Sequence, residues 1–148
     1  MRRACLISTL VFLVTAGYGQ EAKRDFNDGE FFLAMEDYEE ALYAYNQVYR
    51  AGYQDNANIN YRIGLCLISI PGRKTEAIPY LEKAVTSITE RYREGSFKEE
   101  NAPPEALLYL GNAYRINMEL EKACEYYNQF EQYQPGKNSI NKAFAEQQ

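Results

Sequence analysis

Side chains suited to covalent or acid-base chemistry are few in this chain, and their spacing works against it. There is no histidine, which removes the usual general base and the commonest metal ligand. Cys66 and Cys124 therefore have no imidazole to activate them. Paired acids occur at Glu39-Glu40 and Glu99-Glu100, but adjacent residues on a helix point in different directions and do not converge on one substrate atom. Their expected role is solvation. No glycine-rich phosphate loop or nucleophile elbow is present. Neither catalysis nor a bound cofactor or metal is expected. What the chain offers instead is aromatic bulk, 14 tyrosines and seven phenylalanines but no tryptophan, an odd core for a compact globule but one that stacked helices can use, with rings packed between them and hydroxyls reaching a surface groove or solvent.

Three copies of one helical-hairpin signature would position those rings. The first runs from Phe26 and Gly29 through Tyr38 and Ala41 to Tyr45, the second from Ile63 and Gly64 through Glu76 and Ala77 to Leu81. The third carries Leu107, Leu110, Gly111, Asn112, Ala113, Tyr114, Lys122, Ala123, Tyr127 and Pro135. Gly29, Gly64 and Gly111 fall in the first helix of each copy; Ala41, Ala77 and Ala123 fall in the second. Small residues at those places let two helices touch. The glycine-to-alanine spacing is twelve residues in the first and third copies and thirteen in the second, where Pro71-Gly72 marks the longer turn. A lone hairpin cannot bury its apolar stripe, whereas stacked hairpins share one core and expose two open faces.

The periodicity predicts helices over 22–35, 38–51, 57–69, 74–93, 104–117 and 120–133, with a short terminal one over 138–147. Gly29 to Gly64 is 35 residues but Gly64 to Gly111 is 47, so an insertion lies between the second and third copies. Gly95-Ser96 begins a polar connection leading to Ala102, and Pro103 and Pro104 suit the first turn of the following helix. The insertion is expected to be a loop between repeats. Before the repeats, Arg2-Arg3, an apolar run from Ala4 to Ala16 and the small residues Gly17 and Gly19 read as a secretory signal peptide over residues 1–19. Cleavage after Gly19 or one to three residues earlier fits equally. The apolar run is well short of the roughly 20 residues a spanning helix needs.

The hairpin pattern resembles the tetratricopeptide repeat. The third copy matches best, with only the last alanine replaced by Phe130. The first departs most, because Asp25 and Asp28 stand where the repeat has an aromatic residue and a leucine, as befits a terminal capping repeat. The resemblance implies an all-α fold: a right-handed superhelical array of three hairpins, about 22–53, 57–93 and 103–135, within a repeat domain over 20–136. Residues 137–148 would form a short C-terminal capping helix or tail, with Ile140, Ala143 and Phe144 covering the last hairpin. It also implies a protein partner, a peptide, a helix or an envelope complex, on the concave face lined by the first helices. By repeat phase that face presents Phe26, Glu30 and Leu33; Tyr61, Leu65 and Ile68; and Leu108, Asn112 and Arg115, each of which could equally pack on the following repeat or the terminal helix. Some such domains clamp a carboxylate with basic and asparagine side chains at fixed inner positions. Here Asn112 aligns with Glu30 and Leu65, so that clamp is not assembled; Arg62 and Arg115 could still meet an acidic group, although an arginine on a helix surface is expected to be solvated.

A narrower resemblance rests on Asn60 to Cys66, Pro71 to Val85, the connection from Gly95 to Glu99, and Ala102 to Tyr114. These segments are similar to the N-terminal repeats of multidomain OmpA-family cell-envelope proteins of Gram-negative bacteria with type IX secretion and gliding motility. In that family a propeller of PD40 (WD40-like) blades, a small β-sandwich and a peptidoglycan-binding domain follow the repeats. Nothing in this chain corresponds to them, so it reads as a fragment or as a stand-alone interaction module. The expected function is a non-catalytic, exported protein-interaction scaffold, periplasmic or associated with the outer membrane. The alternative is a structural module or truncated remnant that contacts a larger assembly through Tyr43, Tyr80 and Tyr126 on the second helices. Without Arg2 and Arg3 the chain has 14 basic against 21 acidic side chains, a net charge of −7, which argues against nucleic acid. Cys66 and Cys124 lie on non-equivalent helices and are expected to be buried free thiols.

Overall fold

Two of the helices begin at a side-chain cap. In the computed structural model, which describes the backbone of residues 4–133 and side chains from residue 19 onward, α1 covers Ala4–Ala34. The Asp37 carboxylate caps α2 (Tyr38–Arg50) by accepting from the Glu40 amide, and Glu39 and Glu40 place negative charge in its first turn. Asn56 caps α3 (Ala57–Ser69) by accepting from the Ile59 amide at 2.9 Å. A 3₁₀ turn over Lys74–Ala77 leads into the short α4 (Ile78–Ala84). Helix α5 covers Glu105–Ile116 and α6 covers Leu120–Glu131. The described residues hold six α-helices and no strand, only one isolated parallel bridge between Ile88 and Ala102. The expected all-α array is therefore present, and the proposed capping helix over 137–148 lies outside the described residues.

The three hairpin turns share one device: a single residue in the left-handed region, Glu36 at φ 59°, Gly72 at φ 82° and Met118 at φ 64°. Only glycine adopts that conformation without steric cost. The helices then stack in order, α1 on α2, α2 on α3, α3 on α4, α4 on α5 and α5 on α6. Helix α3 is enclosed by its neighbours, with ten of its residues from Ala57 to Leu67 buried.

The glycines work as their spacing implies. A Cβ on Gly29 would lie 2.6 Å from the Tyr45 ring, one on Gly64 2.6 Å from Leu81, and one on Gly111 2.6 Å from the Tyr127 ring. In each hairpin the residue four positions after the small alanine thus lies flat against the glycine of the partner helix. Ala41, Ala77 and Ala123 are themselves buried.

One expected element is shorter than its sequence implies. The helix expected over 74–93 ends at Ala84. Thr86 closes the end, its amide and its hydroxyl both bonded to the Lys83 carbonyl, the hydroxyl at 2.7 Å. The β-branched Ile88 and Thr89 then favour extended backbone. Thr89 donates its amide to the Ala102 carbonyl at 2.9 Å, and Ala102 donates to the Ser87 carbonyl at 2.8 Å. The insertion is thereby drawn into a closed strap, residues 88–102, whose two ends lie side by side.

Candidate protein-interaction surface

The strap crosses the face formed by the first helices of the hairpins. The Tyr92 ring packs edge-on against Tyr61, centroids 6.0 Å apart, and its hydroxyl donates to the Asn58 side chain. The Phe97 ring lies 5.7 Å from Phe26 and 5.3 Å from Tyr53. Between them Gly95, at φ 69°, passes above the Glu30 carboxylate.

Beneath the strap lies an ion pair that joins the first two hairpins. Arg62 on α3 is 2% exposed and donates from Nη2 to Glu30 Oε2 at 3.0 Å. The Tyr45 hydroxyl donates to Glu30 Oε1 at 2.6 Å, and the rings of Tyr61 and Tyr92 lie under 6 Å from the guanidinium. Burial by itself disfavours the Arg62 charge, yet Tyr92, Glu30, Tyr45 and Tyr61 together outweigh it and its pKa sits above the ordinary value. Burial pushes the Tyr45 hydroxyl well above its usual range, with Glu30 adding to the rise against Arg62. The expectation of a solvated Arg62 is thus corrected: it is the largest fully buried side chain among the described residues.

The strap itself is held by Glu99. That carboxylate accepts from the amides of Arg93, Glu100 and Asn101 and from the side chains of Arg93 and Asn101. Burial would raise its pKa, but these donors, Asn101 and Arg93 foremost, hold it down at about 2. Glu99 was expected to be solvated and is only 3% exposed. Its neighbour Glu100 is exposed as expected. An acid followed by Asn101 in a loop, with Arg93 upstream, is a signal for such an anchor, but its burial depends on where the loop lands.

The nine residues assigned to the inner face divide into two groups. Phe26 is fully buried and Tyr61 nearly so, and the Glu30 side chain is 21% exposed. These three lie under the strap, so Phe26 is a core residue and not an exposed one. Leu33, Leu65, Ile68, Leu108 and Asn112 remain half-buried, and Arg115 is exposed. Asn112 accepts from the Tyr127 hydroxyl at 2.9 Å, the bond that Glu30 accepts from Tyr45 in the first hairpin. The inner position of the repeat thus serves as an acceptor for the tyrosine that packs on the glycine, and Leu81 with Leu65 replaces that polar pair in the second hairpin.

Of the outer tyrosines, Tyr43 is 65% exposed. Tyr80 packs edge-on with Tyr49, and Tyr126 stacks parallel on Tyr114. Cys66 is a buried free thiol, as expected, and burial pushes its pKa up to about 12. Cys124 is free but exposed, because no helix among the described residues packs on the far side of α6. No group of acids and thiols that could hold a metal occurs among the described residues. Nor is any helix among them long and apolar enough to cross a membrane.

Stacked helical hairpins with one face built from successive first helices define a repeat array of the kind that binds other proteins. Tetratricopeptide repeat models match residues 29–96 and 105–136, and the chain belongs to the tetratricopeptide repeat proteins. No curated protein matches it.

Proposed function

We propose that the chain is an exported, non-catalytic scaffold of the cell envelope that holds a protein partner on the open part of its inner face. The observation that carries this reading is the division of that face. The strap covers Phe26, Glu30 and Tyr61, and it leaves Leu33, Leu65, Ile68, Leu108 and Arg115 accessible in part. These residues form an apolar strip with a cation at one end, suited to an extended segment or an amphipathic helix. Export is supported by the basic, apolar and small residues of positions 1–19. The narrower similarity to the repeats of OmpA-family envelope proteins supports a place in secretion or motility machinery.

Crosslinking and affinity capture from the native envelope, with the full chain expressed behind its own N-terminal segment, tests the reading. Recovery of an envelope complex, lost on Ile68→Glu or Leu108→Glu while the fold is retained, is the expected result. Retention of the same complex by both variants would move the docking surface elsewhere. Tyr43, exposed on α2, would then be the next residue to replace.

A further inference from the structure

We infer that the strap, residues 88–102, is an intramolecular ligand of the inner face, and that a partner segment presenting two aromatic side chains in the same way gains the covered half by displacing it. The inference rests on the scaffold reading and names the chemistry of the segment that the covered half accepts.

The strap is surplus to the architecture. The first and second copies are joined across 35 residues from glycine to glycine, whereas the second and third need 47. The helices nevertheless stack in unbroken order on both sides of the insertion. What the additional residues do is seat two rings, Tyr92 and Phe97, five positions apart on either side of Gly95. Tyr92 finds a polar and aromatic seat, with Tyr61 at its edge, the Asn58 side chain accepting from its hydroxyl and the Arg62 guanidinium 5.9 Å from its ring. Phe97 finds a purely aromatic seat between Phe26 and Tyr53. Both seats are made by α1, α3 and the turn before α3.

The attachment is that of a docked segment. Only the ends of the strap are tied by backbone bonds, Thr89 to Ala102, Ala102 to Ser87, and the Glu100 carbonyl to the amides of Ala57 and Asn58. Among the described residues, no backbone hydrogen bond joins 90–98 to α1 or α3. That stretch is held on the face by two rings, one phenol hydroxyl and the approach of Gly95 to Glu30. Both rings remain half-buried. Docking through spaced aromatic anchors, with few main-chain bonds, is the arrangement by which short protein segments hold to grooves. An internal occupant lowers the apparent affinity for an external one in proportion to the fraction of molecules in which the seat is open.

The test uses the full chain and a synthetic peptide of residues 88–101. Binding is measured by calorimetry for the wild type, for Tyr92→Ala/Phe97→Ala, and for a variant in which 90–98 is replaced by a glycine-serine chain of equal length. The expected result is that both variants bind the peptide roughly tenfold or more tightly than the wild type does, and that a peptide lacking the two rings binds neither. Folded variants that ignore the peptide, or a wild type that binds it equally well, would overturn the inference. Loss of helicity in both variants would overturn it too, because a segment without which the array does not fold is core and not ligand. If the envelope complex is still captured and lost on Ile68→Glu, failure of the peptide test removes this inference alone and leaves the scaffold reading standing.

Discussion

Arg62 and Glu30 face each other across the first two hairpins, with Nη2 3.0 Å from Oε2 and Nε 3.0 Å from Oε1. At that distance Nε–H is not aligned for a hydrogen bond, and Oε1 accepts from the Tyr45 hydroxyl. The pair is therefore held by one direct bond, one close approach and the surrounding rings. Removing only one partner from a buried pair leaves an uncompensated charge, at about 3–5 kcal/mol, whereas replacing both with apolar residues of similar volume is often neutral. Glu30→Leu alone is expected to destabilise strongly, since Arg62 is almost wholly enclosed. Glu30→Leu/Arg62→Met is expected to recover most of the loss. Urea unfolding of the single and double variants checks this, and a double variant no more stable than Glu30→Leu would contradict it.

Glu99 predicts an acid-sensitive strap. Its folded pKa of about 2 lies below the ordinary 4.5, so between those values the unfolded chain binds more protons than the folded one. Stability from this group is fully present above about pH 4.5 and is lost as pH falls toward 2. It amounts to something on the order of 3 kcal/mol at neutral pH. Glu99→Gln should be less stable at pH 7 and should show a shallower decline from pH 5 to 2. The exposed Glu76 and Glu119, whose pKa values are lowered by Arg73 and by Lys122, titrate in both proteins and cancel in the comparison. Parallel curves for wild type and variant would count against the anchoring role.

Gly64 and Leu81 should be coupled. A methyl group on Gly64 would meet Leu81 Cγ and Cδ2 at 2.6 Å, and Leu81 is fully enclosed. Overpacking of this kind costs about 1–3 kcal/mol, partly offset by the better helix propensity of alanine. Leu81→Ala leaves a cavity, at about 2–5 kcal/mol. In Gly64→Ala/Leu81→Ala the new methyl occupies part of that cavity, so the double variant should be more stable than the sum of the singles by about 1 kcal/mol or more. Thermal denaturation of the four proteins gives the coupling directly.

Met118 holds a left-handed conformation while its side chain is 77% exposed. The equivalent turn of the second hairpin uses Gly72. Met118→Gly removes the steric cost of that conformation, about 1 kcal/mol net, and forfeits almost no packing. A melting temperature raised by a few degrees is the expected outcome, and a lowered one would mean that the methionine makes contacts that outweigh its strain.

The repeats were legible because each copy is specified within a short window. Small residues at Gly29, Gly64 and Gly111, and Tyr45, Leu81 and Tyr127 four positions after each small alanine, are all read from neighbouring residues. Helix boundaries followed closely for the second, third, fifth and sixth helices; the first begins at Ala4 and not at residue 22, and the fourth stops after Ala84, where continued polar and aromatic residues resembled a helix. Their fate was decided by the pairing of Ile88 with Ala102, fourteen residues further along the sequence. The inner face was legible by phase and misjudged by exposure. Phe26 has the phase of an inner residue, but Phe97 lies on it; Arg62 resembles a surface arginine, but Glu30 and Tyr92 enclose it.

The sequence by itself determined an all-α array of tetratricopeptide hairpins, the small residues where their helices touch, an insertion after the second hairpin and the lack of a histidine. These follow from periodicity, small-residue spacing and composition, which act over a few turns of helix. Only the tertiary structure decided that the insertion lies across the first two hairpins, that Arg62 and Glu99 are buried and bonded, and that the strap covers Phe26, Glu30 and Tyr61. Burial is a property of what approaches from elsewhere in the chain. A loop whose ends are fixed by local pairing can still fall on either face of a stack, and the rings of Tyr92 and Phe97 found their seats on the inner one.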